Sequence, residues 1–255
     1  MPKGSIVDSL ESHLVRQIEH SREFFWHRLR WRAVKFHLPS AGPFELLDVG
    51  AGAGLLGEYL RRDLPGGCYR FVEPIDSLER HLESTYGVDS NLGECASYES
   101  IQYVTLLDVL EHQPDDRSFL HDLVEKMRPG ATLIITVPAF MGLWSRWDVA
   151  LGHFRRYDKR SLMKCFQGLP VDMVELTYLF PEMIPLGLIR RQLDRCRKSE
   201  LKTDAAEFPD LPARLNDVVY ALGVISLHLR RLWPAGTSLM AVLRRRQCTP
   251  ECPDP

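Results

Sequence analysis

The chain has 255 residues, 45% of them hydrophobic and 26% charged, with a mean hydropathy of −0.18, the composition of an ordinary soluble globular protein. A formal net charge of −2 argues against bulk nucleic-acid binding, which shows as a basic surplus. No stretch reaches the roughly 18 to 20 apolar residues of a membrane-spanning helix, and the length suits one α/β domain with an insertion.

In chain order, residues from 8 to 37 read as helix, with Ile18, Phe24, Phe25, Leu29 and Val34 on an irregular apolar face. The breaker cluster His37 to Pro43 ends it. Phe44 to Val49 is a short apolar run, the form of a buried parallel strand; Gly50, Gly52 and Gly54 follow, and Leu55 to Arg62 is helical again. A second strand runs through Tyr69 to Val72 and stops at Glu73-Pro74, with helix from 76 to 85. The spacing predicts a short third strand from Val88 to Leu92, a fourth from Ile101 to Leu107, helix from Asp115 to Met127 and a fifth strand from Ala131 to Val137. Such alternation implies a parallel sheet with right-handed crossovers.

Beyond Pro138 the pattern loosens into a loop rich in Trp, Arg and His, Met141 to Tyr157. A helix to Phe166 and a strand from Val171 to Phe180 come next. Residues 181–233 read as two amphipathic helices around a polar link, Lys198 to Pro212, and Thr237 to Val242 continues to Leu243 as a last strand. The division is a helical cap (1–43), an α/β core (44–180), a helical insertion (181–235) and the last strand (236–246). Met1 to Arg32 is charged throughout and lacks the apolar core of a signal peptide, so a cytoplasmic or membrane-peripheral location is expected. The six cysteines form no CxxC pair; Cys248 and Cys252 lack nearby co-ligands, and no metal ligand is named.

The glycine turn is the first chemical signal. It lets backbone approach a ligand at the C-terminal end of a strand, where open parallel sheets bind ligands. Gly52, Gly54 and Gly57 also fit GxGxxG, so a nicotinamide dinucleotide is a competing ligand. Asp48 lies inside the first strand, where a bare carboxylate needs hydrogen bonds. Glu73 ends the second, where a carboxylate can grip both hydroxyls of a ribose.

These residues carry a resemblance. ELLDVGAGAG at 45–54, FVEP at 71–74, LLDVLEH at 106–112 and MRPGATLIITVP at 127–138 resemble, in order, the motifs of class I S-adenosylmethionine-dependent methyltransferases. The resemblance implies a Rossmann-like three-layer α/β sandwich, mostly parallel, with the last strand antiparallel and the helical insertion before it. It implies that Asp48, Gly50, Ala51, Gly52 and Gly54 hold the methionine end of S-adenosylmethionine, Glu73 its ribose, Gly93 and Glu94 its adenine, and that Asp108 lines the site near the sulfonium. Gln102 departs from the Asp commonly found at its position.

On the acceptor side, His112 follows the fourth strand and suits a general base, while Glu111 reads as orienting the loop. The segment from Gly152 to Tyr157 resembles a GHxRRY element of one subset of these enzymes. It offers His153 and Tyr157 as catalytic candidates and Arg155 and Arg156 as contacts for a carboxylate or phosphate. The alternative role for these arginines is an ion-pair network with Asp148 that fixes the loop. Arginines flanking the apolar faces of 181–233 suit an anionic membrane surface and a lipid-like acceptor, or a stripe that packs on its own domain. The expected activity is methyl transfer to a small acceptor, at oxygen before nitrogen or carbon. A non-catalytic module that keeps the pocket is the alternative of another class.

Overall fold

A computed structural model describes residues 11, 13–15, 23–93, 97–196 and 211–247. Six strands form one sheet: β1 (Phe44–Val49), β2 (Gly67–Val72), β3 (Tyr103–Leu107), β4 (Thr132–Pro138), β5 (Val171–Leu179) and β6 (Ser238–Arg245). Their order is β2-β1-β3-β4-β6-β5, parallel except for β6, which runs antiparallel to both neighbours. The reversal between β2-β1 and β1-β3 opens the crevice in which such sheets bind ligands.

The central strands are apolar on both faces because helices cover both. Leu47, Val104 and Ile135 pack with Leu120, Leu123 and Val124 of the helix Asp116–Lys126. On the other face, Leu46, Ile134 and Val242 pack with residues of helix α1 (Phe25–Lys35), helix α2 (Leu55–Asp63) and the insertion. The remaining helices are α3 (Asp76–Tyr86), α4 (the Asp116–Lys126 helix), α5 (Arg146–Ala150), α6 (Lys159–Cys165), α7 (Ile184–Cys196) and α8 (Ala213–His228). This is the three-layer α/β sandwich expected, with α7 and α8 inserted between the paired strands β5 and β6.

Two expected elements differ. Val88 to Leu92 makes no strand: Val88–Ser90 is a single 3-10 turn, and Asn91 touches β2 through one isolated bridge to Phe71. Asn91 explains this, because its side chain donates to Glu79 and Glu83 and accepts from the Gly93 amide, a local network that competes with a ladder. The N-terminal helix is also not continuous. Phe24 is extended (φ −68°, ψ 129°), and α1 restarts at Phe25 under a cap from another element. Asn216 of α8 accepts from the Phe25 amide at 2.9 Å and donates to the Glu23 carbonyl at 2.9 Å. No local residue signals that break.

α8 lies directly on α1. A Cβ at Gly223 would stand 2.2 Å from a Leu29 methyl, so glycine sets the close approach. The insertion is thus tied to the segment that crosses the crevice. Among the described residues no helix is long and apolar enough to cross a membrane.

Candidate cofactor and acceptor site

The crevice begins at the turn after β1. Gly50, Gly52 and Gly54 have φ of 72°, 56° and 73°, values that favour glycine. A Cβ on Gly50 would also lie 2.6 Å from Val109. The turn is stitched to the end of β2: the Gly50 and Ala51 amides donate to the Val72 carbonyl at 2.8 and 3.3 Å. Gly57 has a separate duty, since a Cβ there would reach within 2.6 Å of the Tyr69 ring.

Asp48 is buried, and its two oxygens accept from Tyr69 Oη at 3.0 Å and Thr105 Oγ1 at 2.8 Å. Burial pushes its carboxyl up to about 6, against the pull of those hydrogen bonds. Glu73 is buried as well. Its Oε2 accepts from the Gly52 amide at 2.7 Å and its Oε1 from the Ile75 amide at 3.0 Å. Burial raises its pKa while the two amides oppose the rise. A carboxylate has about four acceptor positions, so Glu73 can still accept two ribose hydroxyls.

Asp108 stands just past β3 with φ 57°, costly for a residue with a Cβ. Its Oδ1 accepts from Thr136 at 3.1 Å, and its Oδ2 pairs with the Arg30 guanidinium of α1. Phe140 and Phe180, with φ of 55° and 59°, follow the ends of β4 and β5 in the same way. The strained backbone therefore gathers on the ligand side of the sheet.

At the acceptor end, Glu111 and His112 lie on the 3-10 turn Leu110–His112, and His153 faces them from the loop after α5. The Phe154 amide donates to the Glu111 carbonyl at 2.8 Å, which joins the two segments. The His112 and His153 rings meet edge to face, 4.8 Å between centroids. Burial, with His153 beside it, holds the His112 imidazole down at about 4. Burial, with the Asp108 charge, pushes Glu111 well above the ordinary carboxylate range.

Asp148 anchors this end. It is fully buried, and it accepts from the Ser145 amide at 2.9 Å and from Arg156 through Nε at 2.7 Å and Nη2 at 3.0 Å. Its Oδ1 lies 2.9 Å from His153 Nδ1. Burial works to raise Asp148, but the hydrogen bonds from His153 and Arg156 outweigh it and hold the carboxyl at about 2.

One cavity of about 1360 Å³ joins these groups. Of the residues expected there, Asp48, Gly50, Ala51, Gly52, Glu73, Asp108, His112, His153 and Arg156 line it. Gly54 does not; it starts α2, packed where a Cβ would strike Leu82 at 2.5 Å. Arg155 and Tyr157 do not line it either. Both turn toward Asp116: Tyr157 Oη donates to it at 2.9 Å and Arg155 pairs with it at 2.8 Å. Along extended backbone neighbours alternate sides, which separates Arg155 and Tyr157 from Arg156. Arg156 lines the cavity and at the same time donates to Asp148 and to the Ala139 carbonyl, bonds that tie down the loop. Gly93 is described but outside the cavity lining, and Glu94 lies outside the described residues. Gln102 is structural, accepting from the Glu45 amide at 2.6 Å.

Sequence reasoning missed Arg30, Tyr69 and Thr105, whose contacts cross between elements distant in the chain. It also missed the depth of Glu111. The cavity's far wall comes from the insertion, with Leu186, Ile189, Leu193 and Leu215 among its residues. Arg190 of α7 stacks over Trp147 of α5 at 4.5 Å, which joins that wall to the acceptor loop.

Among curated relatives, the ubiquinone biosynthesis O-methyltransferase of Xanthomonas campestris pv. campestris is 32% identical over 118 residues, 43% of this chain and 48% of the relative. The chain thus matches about half the length of such relatives. A Haloferax volcanii chain solved in complex with the Trm112 methyltransferase activator superposes with a TM-score of 0.59 at 12% identity, covering 97% of this chain and 100% of that one. The Haemonchus contortus phosphoethanolamine N-methyltransferase 2, solved with S-adenosyl-L-methionine, gives 0.53 at 14% identity over 87% of this chain and 53% of that one. The two solved structures share the fold of this chain. S-adenosylmethionine is the cofactor, and Glu73, which accepts from the Gly52 and Ile75 amides, has acceptor positions left that suit its ribose hydroxyls. A methyltransferase-domain model matches residues 12–176, more than half of the sequence, and on that match the chain belongs to the methyltransferase-domain family.

Proposed function

We propose that this protein transfers the methyl group of S-adenosylmethionine to an oxygen of a small acceptor carrying a long apolar portion, taken up from an anionic membrane surface. The observation that carries the reading is the division of the cavity. Its lining brings together the glycine turn, Glu73 and Asp108 at the ends of β1, β2 and β3, the pair His112 and His153, and a largely apolar wall from the insertion. A volume of about 1360 Å³ exceeds the roughly 300 to 1,000 Å³ of common ligand pockets, leaving room for donor and acceptor together.

The donor's sulfonium already activates the methyl, so the protein's tasks are alignment and exclusion of water. Arg30 and Asp108 close α1 over the crevice, and the glycine turn and Glu73 fix the donor's position. An oxygen acceptor must lose a proton. His153, turned by Asp148 so that Nε2 lies 4.0 Å from Glu111, is the better-oriented group for it, while burial holds the His112 imidazole down at about 4. The likeness to O-methyltransferases over half a chain supports oxygen as the acceptor atom.

Support for the lipid-like portion comes from Leu186, Ile189 and Leu193, which line the cavity yet are 53%, 57% and 55% exposed. Their apolar face therefore runs from the cavity to the surface. Val218, Leu222 and Ile225 extend exposed apolar area on α8; just beyond its end Arg231 is exposed, while Arg230 is largely buried, and both pair with Glu175. Apolar side chains bordered by arginines suit the interface of an anionic bilayer.

Labelled methyl transfer to phenols that differ only in alkyl chain length tests the reading. Longer chains should raise kcat/KM, and equal values along the series would remove the apolar subsite. Co-sedimentation with anionic vesicles at low salt should fall in Ile189→Glu and Leu222→Glu; wild-type protein left in the supernatant would remove the membrane contact. Absence of calorimetric binding by S-adenosylhomocysteine would sink the whole assignment.

A further inference from the structure

We infer that Glu111, His112 and His153 form a binding site for a divalent transition-metal ion at the acceptor end of the cavity. Each offers one ligand atom, and these atoms lie within 4.8 Å of one another. Bonds of about 2.1 Å place neighbouring ligand atoms roughly 3 to 3.5 Å apart. Small side-chain rotations therefore close the triad around an ion.

Proximity alone would mean little for an exposed acidic patch. Here Glu111 is 0% exposed, and neither carboxylate oxygen has a hydrogen-bond partner in the protein. A buried carboxylate is costly when no well-formed hydrogen bond reaches it and only its own backbone amide acts on it, and His153 Nε2 stands 4.0 Å from its Oε1. A cation between them satisfies both.

The support behind His153 points the same way. Asp148 receives Nδ1 at 2.9 Å, which fixes the proton there and leaves Nε2 with a lone pair toward Glu111. A carboxylate behind a histidine is the usual outer partner of a metal-binding imidazole. Asp148 needs no ion to hold its place, since Ser145 and Arg156 anchor it. The main-chain bond from Phe154 to Glu111 keeps the two segments in register.

Two imidazoles and one carboxylate favour Zn²⁺, Fe²⁺, Co²⁺ or Mn²⁺ over Mg²⁺ or Ca²⁺, which prefer all-oxygen sets. Three protein ligands facing a cavity leave positions open, as in catalytic rather than structural sites. The ion's role, unlike the site itself, rests on the function proposed above. An acceptor hydroxyl on the ion loses its proton to water more readily. The acceptor O–CH₃ bond then forms as the sulfonium S–CH₃ bond breaks, leaving neutral S-adenosylhomocysteine. His153 is in that case a ligand, and the ion takes over the task of lowering the acceptor's pKa.

Chelator-treated full-length protein titrated with ZnCl₂ and MnCl₂ by calorimetry tests the site, with Co²⁺ absorption as a ligand-sensitive readout. One ion per chain is expected. Glu111→Gln and His153→Gln should each lose more affinity than the roughly 10- to 100-fold expected for the outer partner in Asp148→Asn. Circular dichroism and S-adenosylhomocysteine binding establish that each variant is folded. No binding of either ion by the wild type, or wild-type affinity in folded Glu111→Gln, overturns the site. Equal methyl transfer with and without the ion overturns its role and leaves the proposed transferase intact. Normal ion binding without S-adenosylhomocysteine binding supports the site while defeating the proposed function.

Discussion

The Gly52 amide donates to Glu73 Oε2 at 2.7 Å, so the turn after β1 and the acid after β2 are one unit. Each defines the other's position before any ligand arrives, and Ile75 holds the second oxygen. Glu73→Gln keeps the shape but turns one acceptor into a donor that must face an amide N–H. In the complex, the same NH2 group also replaces an acceptor that a ribose hydroxyl needs, and a buried group left unpaired there costs about 1–3 kcal/mol. S-adenosylhomocysteine should therefore bind roughly 5- to 150-fold more weakly by calorimetry. Wild-type affinity in this variant would show that Glu73 only braces the turn.

Asp48 has a different balance. Its folded pKa, about 6, lies above the ordinary 3.8, so the folded state holds the proton more tightly. Its contribution to stability falls as pH rises from 3.8 through 6 and stays lost above. The gap corresponds to about 3 kcal/mol, an order-of-magnitude figure. Asp48→Asn removes the buried charge and can still bond Thr105 and Tyr69. Its urea midpoint, relative to wild type, should rise between pH 4 and pH 8 while cofactor affinity falls. A pH-independent difference would mean that Asp48 ionises in the folded protein at the same pH as in the unfolded chain.

Much of this was legible because the informative residues sit on strands and at strand ends. β1 and β4 announce themselves as short, largely apolar runs, and Asp48, the glycines and Glu73 stand in or just after such strands. The insertion was legible as two apolar periods around a polar link. What failed depended on contacts far along the chain. Phe24 breaks the first helix because Asn216 caps the restart, and Arg155 and Tyr157 leave the cavity because Asp116 lies behind the turn. Glu111 looked like a loop residue because one sequence carries no sign that the loop containing His153 would bury it.

Asp148 joins three segments of the acceptor loop, and its folded pKa of about 2 lies below the ordinary 3.8. Its stabilisation is therefore fully present above pH 3.8 and is lost as pH falls through 2. Asp148→Asn leaves Arg156, only 12% exposed, without its counter-charge. Breaking such a buried pair costs about 3–5 kcal/mol. Urea unfolding at pH 7 should show a loss of that order, and the gap from wild type should narrow between pH 4 and pH 2. If methyl transfer survives at the wild-type rate in this variant, the orientation of His153 is not needed for turnover.

The contact between Gly223 and Leu29 decides whether the insertion and α1 act as one body. A methyl at 223 would stand 2.2 Å from Leu29 Cδ1, and α8 cannot move away freely while Asn216 holds the start of α1. Gly223→Ala gains helix propensity but overpacks this contact, at about 1–3 kcal/mol. Leu29→Ala alone leaves a cavity and costs about 2–5 kcal/mol. Combined, the two changes relieve each other, because the new methyl fills space that Leu29 has vacated. The double variant should be more stable than the sum of the single losses by at least about 0.5 kcal/mol. Strict additivity in chemical denaturation would mean that α1 and α8 separate readily in solution. Arg30 would then reach Asp108 without help from the insertion.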